Sequence, residues 1–141
     1  MQPGRIFETV LYAEDLSAAQ RFYSEALGLE VLSTSDLLVA LKCGVGVLLI
    51  FDPGKSSPPG REVPSHGSSG AGHVAFAAKP EELEGWRKQL EEAGIPIERE
   101  VDWAQGGRSI YFRDPAGNSV ELAPPTLWGG GWDFDGHRSR G

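Results

Sequence analysis

Cysteine is nearly absent from this 141-residue chain. Cys43 stands alone, which excludes an internal disulfide and fits a reducing compartment, so a cytoplasmic location is expected. Basic residues are also in short supply: 13 Lys and Arg face 20 Asp and Glu, for a net charge of −7. Nucleic-acid modules normally present a basic face, so no nucleic-acid partner is expected. Long apolar runs are missing too. The longest, Val45 to Phe51, is strand-sized and far short of the ~20 residues that cross a bilayer, so no membrane partner is expected. Met1-Gln2-Pro3-Gly4-Arg5 leads into no apolar segment of the kind a signal peptide carries.

Glycine and proline are plentiful, at 19 and 10 residues, but unevenly spread. Between Pro53 and Gly72 only Lys55, Arg61, Glu62, Val63, His66 and Ala71 interrupt Pro, Gly and Ser, which marks a long loop. On either side lie segments of matching pattern. In the first, Ile6–Ala13 reads as a strand, and a helix follows with Asp15 or Ser17 as its N-cap. Ala19, Phe22, Tyr23, Ala26 and Leu27 form its apolar stripe, and Gly28 ends it. Strands are expected at 30–34, 37–43 and 45–52. The second repeats the order: a strand at 73–78, and a helix opened by Pro80 with the stripe Leu83, Trp86, Leu90 and Ala93. Strands at 95–101, 108–113 and 119–123 complete it, the last two joined by the turn Asp114-Pro115-Ala116-Gly117-Asn118.

The pattern is βαβββ twice, about 65 residues apart, an α+β reading. One domain over 1–125 is expected, with module one at 5–52, the loop at 53–72 and module two at 73–125. Residues 126–141 form a glycine-rich tail carrying Trp128, Trp132 and Phe134, whose aromatics either cap an apolar surface or mark a partner site.

Strand parity selects the candidate site residues, because alternate side chains face opposite ways. Phe7, Leu11, Val74 and Phe76 are expected beneath the helices. Glu8 and His73 then face the other side at equivalent places in the two repeats. If the final turn centres on Ala116, Tyr111 pairs with Glu121 and Arg113 with Ser119. Ile110, Phe112, Val120 and Leu122 then share the helix side, leaving Ser109, Tyr111, Arg113 and Glu121 on the face of His73. Glu121 interrupts an apolar strand and calls for a partner. Ala75 and Ala77 are small and leave room beside His73. Taken singly, each has an ordinary alternative: a hydrogen-bonded core or edge histidine, a solvated glutamate, a sheet tyrosine, a solvated or ion-paired rim arginine. His66 and His137 fall among Gly and Ser and are expected to be exposed. Cys43 reads as a small buried hydrophobe, and no Ser/His/Asp signature is present.

The segments Phe7-Glu8-Thr9-Val10-Leu11-Tyr12 and Arg21-Phe22-Tyr23-Ser24-Glu25-Ala26-Leu27-Gly28-Leu29 resemble the first module of the vicinal oxygen chelate superfamily. Gly72-His73-Val74-Ala75-Phe76 resembles the start of its second module, and 111–122 its closing hairpin. The superfamily includes glyoxalases, extradiol dioxygenases, fosfomycin-thiol transferases, epimerases and bleomycin-binding resistance proteins. The resemblance implies two βαβββ modules curled into a mixed sheet with a concave cleft. It also implies metal ligands on the first and last strands of each module, here Glu8, His73, Glu121 and Leu48. Leu48 cannot bind a metal, a departure from the four-ligand glyoxalase pattern. Glu8 stands where extradiol dioxygenases usually carry histidine. Fosfomycin transferases match in ligand number, with Tyr111 where their substrate-contacting tyrosine lies, but Val10 replaces their catalytic threonine.

Two carboxylates and an imidazole suit Mn²⁺, Fe²⁺, Zn²⁺ or Ni²⁺, and three ligands leave positions open for a small oxygen-rich substrate. The expectation is a metal-dependent enzyme of lyase, isomerase, thiol-transferase or dioxygenase type, with Tyr111 donating a hydrogen bond to substrate. A metal-free protein of the bleomycin-resistance kind, sequestering a cationic ligand, is the alternative. A sensor that kept the fold without the chemistry is the third. A homodimer is expected, since two such modules expose sheet edges that superfamily members commonly cover by dimerising. The loop at 53–72 is long enough to let modules swap between chains.

Overall fold

The computed structural model describes residues 1–130 and 132–134; His137 lies outside them. The chain divides into two compact units, Met1–Gly72 with Asp114–Asn118, and His73–Arg113 with the chain from Ser119 onward. Among the described residues no helix is long and apolar enough to cross a membrane.

The first unit opens with β1 (Glu8–Tyr12) and α1 (Leu16–Arg21), which runs on as a π-helical turn, Phe22–Ala26. Then come β2 (Glu30–Thr34), β3 (Leu38–Cys43), β4 (Gly46–Phe51) and a four-residue helix, α2 (Pro53–Ser56). Its sheet has the order β1-β4-β3-β2, with β1 parallel to β4 and the other pairs antiparallel. The second unit has β5 (His73–Ala77), a 3-10 turn at Pro80–Glu82, α3 (Leu83–Glu92), β6 (Arg99–Asp102), β7 (Arg108–Arg113) and β8 (Ser119–Ala123). Its order, β5-β8-β7-β6, repeats the first, with β5 parallel to β8. The expected α+β class and doubled βαβββ order hold, as two four-stranded mixed sheets.

Local chemistry accounts for these elements. Asp15 caps α1, its carboxylate accepting from the Ala18 amide at 3.0 Å. The expected helix is not α-helical throughout. The Leu27 amide reaches back five residues to the Phe22 carbonyl at 3.2 Å, the wider π pattern. Ala19, Phe22, Tyr23 and Leu27 of the expected stripe are buried. Gly28 ends the helix at φ +79°, where a side chain would be strained. In the first sheet the register puts Leu11, Leu48, Ile50, Val39 and Leu41 on one face, all buried. In the second, Ile110, Phe112, Val120 and Leu122 are sealed from solvent on the equivalent face, with Leu83 and Leu90 of α3 also buried. Each such side chain contributes about 1.5–3 kcal/mol on burial. Phe7 departs from expectation: it precedes β1 and is 58% exposed.

The Asp114–Asn118 turn does more than reverse the chain. The Asp114 carboxylate accepts from the Tyr23 hydroxyl at 2.8 Å, the amides of Ala116 and Asn118, and the Asn118 side-chain amide. Asn118 in turn donates to the Tyr12 carbonyl and accepts from the Gly72 amide at 2.7 Å. Burial pushes the Tyr23 phenol far above its ordinary pKa, and the charge and hydrogen bond of Asp114 add to the shift. His66 also differs from expectation. It is half-buried, its Nδ1 2.7 Å from the Tyr12 hydroxyl and its ring edge-on to Phe51 at 4.5 Å.

Candidate functional site

The hairpin of β7 and β8 has the expected register, Tyr111 opposite Glu121 and Arg113 opposite Ser119. β5 completes the arrangement by running parallel to β8, with His73 opposite Ser119 and Ala75 opposite Glu121. Alternation therefore puts His73, Ala75, Ser109, Tyr111 and Glu121 on one face of the second sheet.

Glu121 is 4% exposed, and its partners are side chains on that face. Oε2 accepts from the Ser109 hydroxyl at 2.6 Å. The Ser109 oxygen accepts from Trp103 Nε1 at 2.8 Å. An indole N–H only donates, so the single Ser109 hydroxyl hydrogen goes to the carboxylate. Trp103 and Ser109 thus fix one oxygen of Glu121, and the other faces His73.

Oε1 lies 3.3 Å from Nε2 of His73, whose side chain is half exposed. The opposite ring nitrogen, Nδ1, is 3.0 Å from the Ser119 carbonyl. A carbonyl can only accept, so this contact assigns the ring hydrogen to Nδ1 and leaves a lone pair on Nε2. In that tautomer Nε2 and Oε1 are two acceptors facing each other across 3.3 Å. Such a pair is stable around a cation, either a proton on the ring or a metal ion between the groups. A histidine held by a backbone carbonyl through its far nitrogen is also how proteins orient a metal ligand. The donor set therefore fits a divalent ion.

Tyr111 stacks beside His73, ring centroids 6.5 Å apart and planes inclined by 23°. Burial raises its phenol pKa most, the hydrogen bond and charge of Glu121 raise it further, and a hydrogen bond with Ser109 opposes them. Tyr111 is thereby kept a neutral donor. Arg113 is the ion-paired rim residue expected, donating to Glu98 at 2.8 and 3.2 Å.

Glu8 belongs to the first unit, exposed at the start of β1. It holds the position in its sheet that His73 holds in the other, the first residue of the strand parallel to the last of its module. Among the described residues no group of three or more His, Cys, Asp or Glu side chains is gathered to hold a metal ion. Within the second unit the structure thus brings His73, Glu121 and Tyr111 together, while Glu8 belongs to the first.

The place assigned to Leu48 needs correction. Leu48 pairs with Thr9 and Leu41 and is buried on the core face, opposite to Glu8. Ala75, two residues after His73, pairs with Glu121; two residues after Glu8 stands Val10, which pairs with Leu49. Leu49 is the internal counterpart of Glu121, and it too is apolar. Sequence reasoning missed the role of Trp103, which reaches Ser109 from the β6–β7 loop, where no strand parity applies. It also missed the Ser119 carbonyl, a backbone group that leaves no mark in a sequence.

Known proteins resemble this chain along most of its length. The chain is 33% identical over 121 residues to glutathione transferase FosA of Serratia marcescens, covering 83% of this chain and 78% of that protein. It is 30% identical over 114 residues to metallothiol transferase FosB of Staphylococcus saprophyticus subsp. saprophyticus, covering 80% and 72%. The solved structure of lactoylglutathione lyase from Agrobacterium tumefaciens superposes with a TM-score of 0.87 at 44% identity, over 92% of this chain and all of that one. Residues 5–122 match the model of one family, and the chain belongs to the Glyoxalase/Bleomycin resistance protein/Dioxygenase superfamily.

Proposed function

We propose that the protein is a divalent-metal-dependent enzyme of lyase or thiol-transferase type, acting on a small molecule with two adjacent oxygens. The observation that carries this reading is the approach of His73 Nε2 to Glu121 Oε1, with His73 Nδ1 held by the Ser119 carbonyl. The resemblance to a glutathione transferase, a metallothiol transferase and a lactoylglutathione lyase supports it.

His73, Glu121 and Glu8 are the proposed ligands of the ion, which when bound supplies a Lewis acid to the substrate oxygens. His73 and Glu121 offer one lone pair each, oriented by Ser119 and by Ser109 with Trp103. Tyr111 remains protonated, and its hydroxyl turns from Glu121 to donate its hydrogen bond to a substrate oxygen. Val10, two residues after Glu8 on β1, offers only an isopropyl group and can neither donate nor accept a hydrogen bond there.

The protein is proposed to act as a homodimer. Val10, Phe7 and Ile6 are exposed on and before β1, which ends its sheet, and an interface there would cover them. The third ligand is then Glu8 of the same chain or of the partner copy. Purified protein loaded in turn with Mn²⁺, Fe²⁺, Zn²⁺ and Ni²⁺ tests the activity. Two substrates are offered: the hemithioacetal of glutathione with a 2-oxoaldehyde, and an epoxyphosphonate with glutathione. Turnover of either that disappears with a chelator supports the reading. Stoichiometric metal with turnover of neither contradicts it.

A further inference from the structure

A cavity of about 280 Å³ in the second unit lies at the far end of the strands that carry His73 and Glu121. Ala75, Ala77 and Ala123 are among its lining residues. Ala75 pairs with Glu121 and Ala77 with Ala123, so these methyl groups continue the face of the His73–Glu121 pair along β5 and β8. Ala77 is four residues past His73, roughly 13 Å along the strand, and Ala75 lies midway.

The other wall comes from the tail. Trp128, Trp132 and Phe134 line the cavity, although Trp128 and Trp132 are 82% and 60% exposed. Two exposed indoles lining the same cavity as the strand-end alanines form a contiguous apolar patch, the kind that marks a binding groove. The tail is held in place where it leaves β8. Thr126 Oγ1 donates to the Gly106 carbonyl at 2.6 Å, and Gln105 Nε2 donates to the Leu127 carbonyl at 3.0 Å. At Gly107 an added Cβ would come within 2.6 Å of Pro124, so the loop and the tail meet at a distance only glycine permits. Trp132 Nε1 donates to the Trp128 carbonyl at 3.2 Å, which leaves no polar indole atom of Trp132 seeking a partner in the cavity.

We infer that this cavity is a substrate subsite for a flat apolar substituent, such as a phenyl ring, carried by a molecule whose adjacent oxygens reach the His73–Glu121 pair. The inference rests on the proposed metal centre and adds the class of substrate. Size agrees with it: a dry cavity of about 150 Å³ is enough to take up benzene. Chemistry agrees too, since the lining side chains are alanine, proline, leucine and aromatic residues, with no charged group among them.

Benzohydroxamate and acetohydroxamate separate the two parts of this inference. They carry the same pair of chelating oxygens and differ in a phenyl against a methyl group. Binding to the metal-loaded protein is measured by calorimetry. Benzohydroxamate is expected to bind roughly ten- to fifty-fold more tightly, from the extra apolar area removed from water. Ala77→Phe fills the cavity from an exposed strand position and is expected to bring the ratio below about three, with acetohydroxamate affinity unchanged. Trp128→Ala should lower the ratio as well. Equal affinities in the wild-type protein, or a preference that survives both substitutions, overturn the subsite while leaving the metal centre standing. Binding of neither compound to a protein that takes up no metal removes the centre itself, and the subsite with it. A Trp128→Ala change that turns a dimer into a monomer and leaves the ratio unaltered makes the cavity an interface between copies, and also overturns the inference.

Discussion

Ser109 donates its only hydroxyl hydrogen to Glu121 at 2.6 Å, and it can do so because Trp103 occupies its oxygen from the other side. The carboxylate is held before any ligand arrives. Groups that orient a metal ligand in this way typically change metal affinity by 10–100-fold when removed. Ser109→Ala is therefore expected to weaken divalent-metal binding by about that factor in a competition titration, and Ser109→Thr to keep most of it. Equal affinity in Ser109→Ala and wild type would show that Glu121 needs no such support.

Tyr111 is expected to act on the substrate rather than on the ion. Tyr111→Phe should lower turnover about tenfold or more, the scale of one lost hydrogen bond to a charged group, with metal content unchanged. Wild-type kinetics in this variant would reduce Tyr111 to a ring packed beside His73.

Asp114 is expected to carry stability rather than activity. Asp114→Ala leaves the Tyr23 hydroxyl and the Asn118 side chain without their shared acceptor, at a cost of about 3 kcal/mol in urea unfolding. A loss below about 1 kcal/mol would mean that water replaces the carboxylate freely.

Alkaline pH is expected to unfold the protein through Tyr23. Its phenol is raised in the folded state, so above the ordinary tyrosine value of about 10 the unfolded chain releases a proton that the folded chain keeps. The unfolded state then binds fewer protons, and stability falls with rising pH by about 1.4 kcal/mol per unit. Tyr111, also raised, adds in the same direction. Unfolding free energies at several pH values above 10 should fall less steeply in Tyr23→Phe. The same slope in both proteins would assign the loss to other groups.

The fold was legible because period and parity leave clear marks. The Tyr111–Glu121 register followed from the length of one turn, and the helix stripe from spacing alone. What stayed hidden depended on contacts far apart in sequence. Tyr23 and Asp114 are 91 residues apart, so the aspartate read as a turn residue instead of a buried anchor. His66 looked exposed among Gly and Ser, yet Tyr12 and Phe51 hold it from strands more than a dozen residues away. The site divides along the same line. His73 and Glu121 share one sheet and could be placed by parity, whereas relating Glu8 to them requires a relation between modules that no strand period encodes.

The central claim is that His73, Glu121 and Glu8 hold one divalent ion. Metal content after dialysis against trace divalent ions, measured by mass spectrometry for wild type, His73→Ala, Glu121→Gln and Glu8→Ala, tests it most directly. The expected result is about one ion per chain in the wild type and loss of that ion in each variant, with unfolding midpoints of the apo-proteins little changed. Mixing Glu8→Ala with His73→Ala chains should restore up to one ion per mixed dimer if Glu8 comes from the partner copy, and none if it comes from the same chain. A wild-type ion retained in full by His73→Ala would contradict the account.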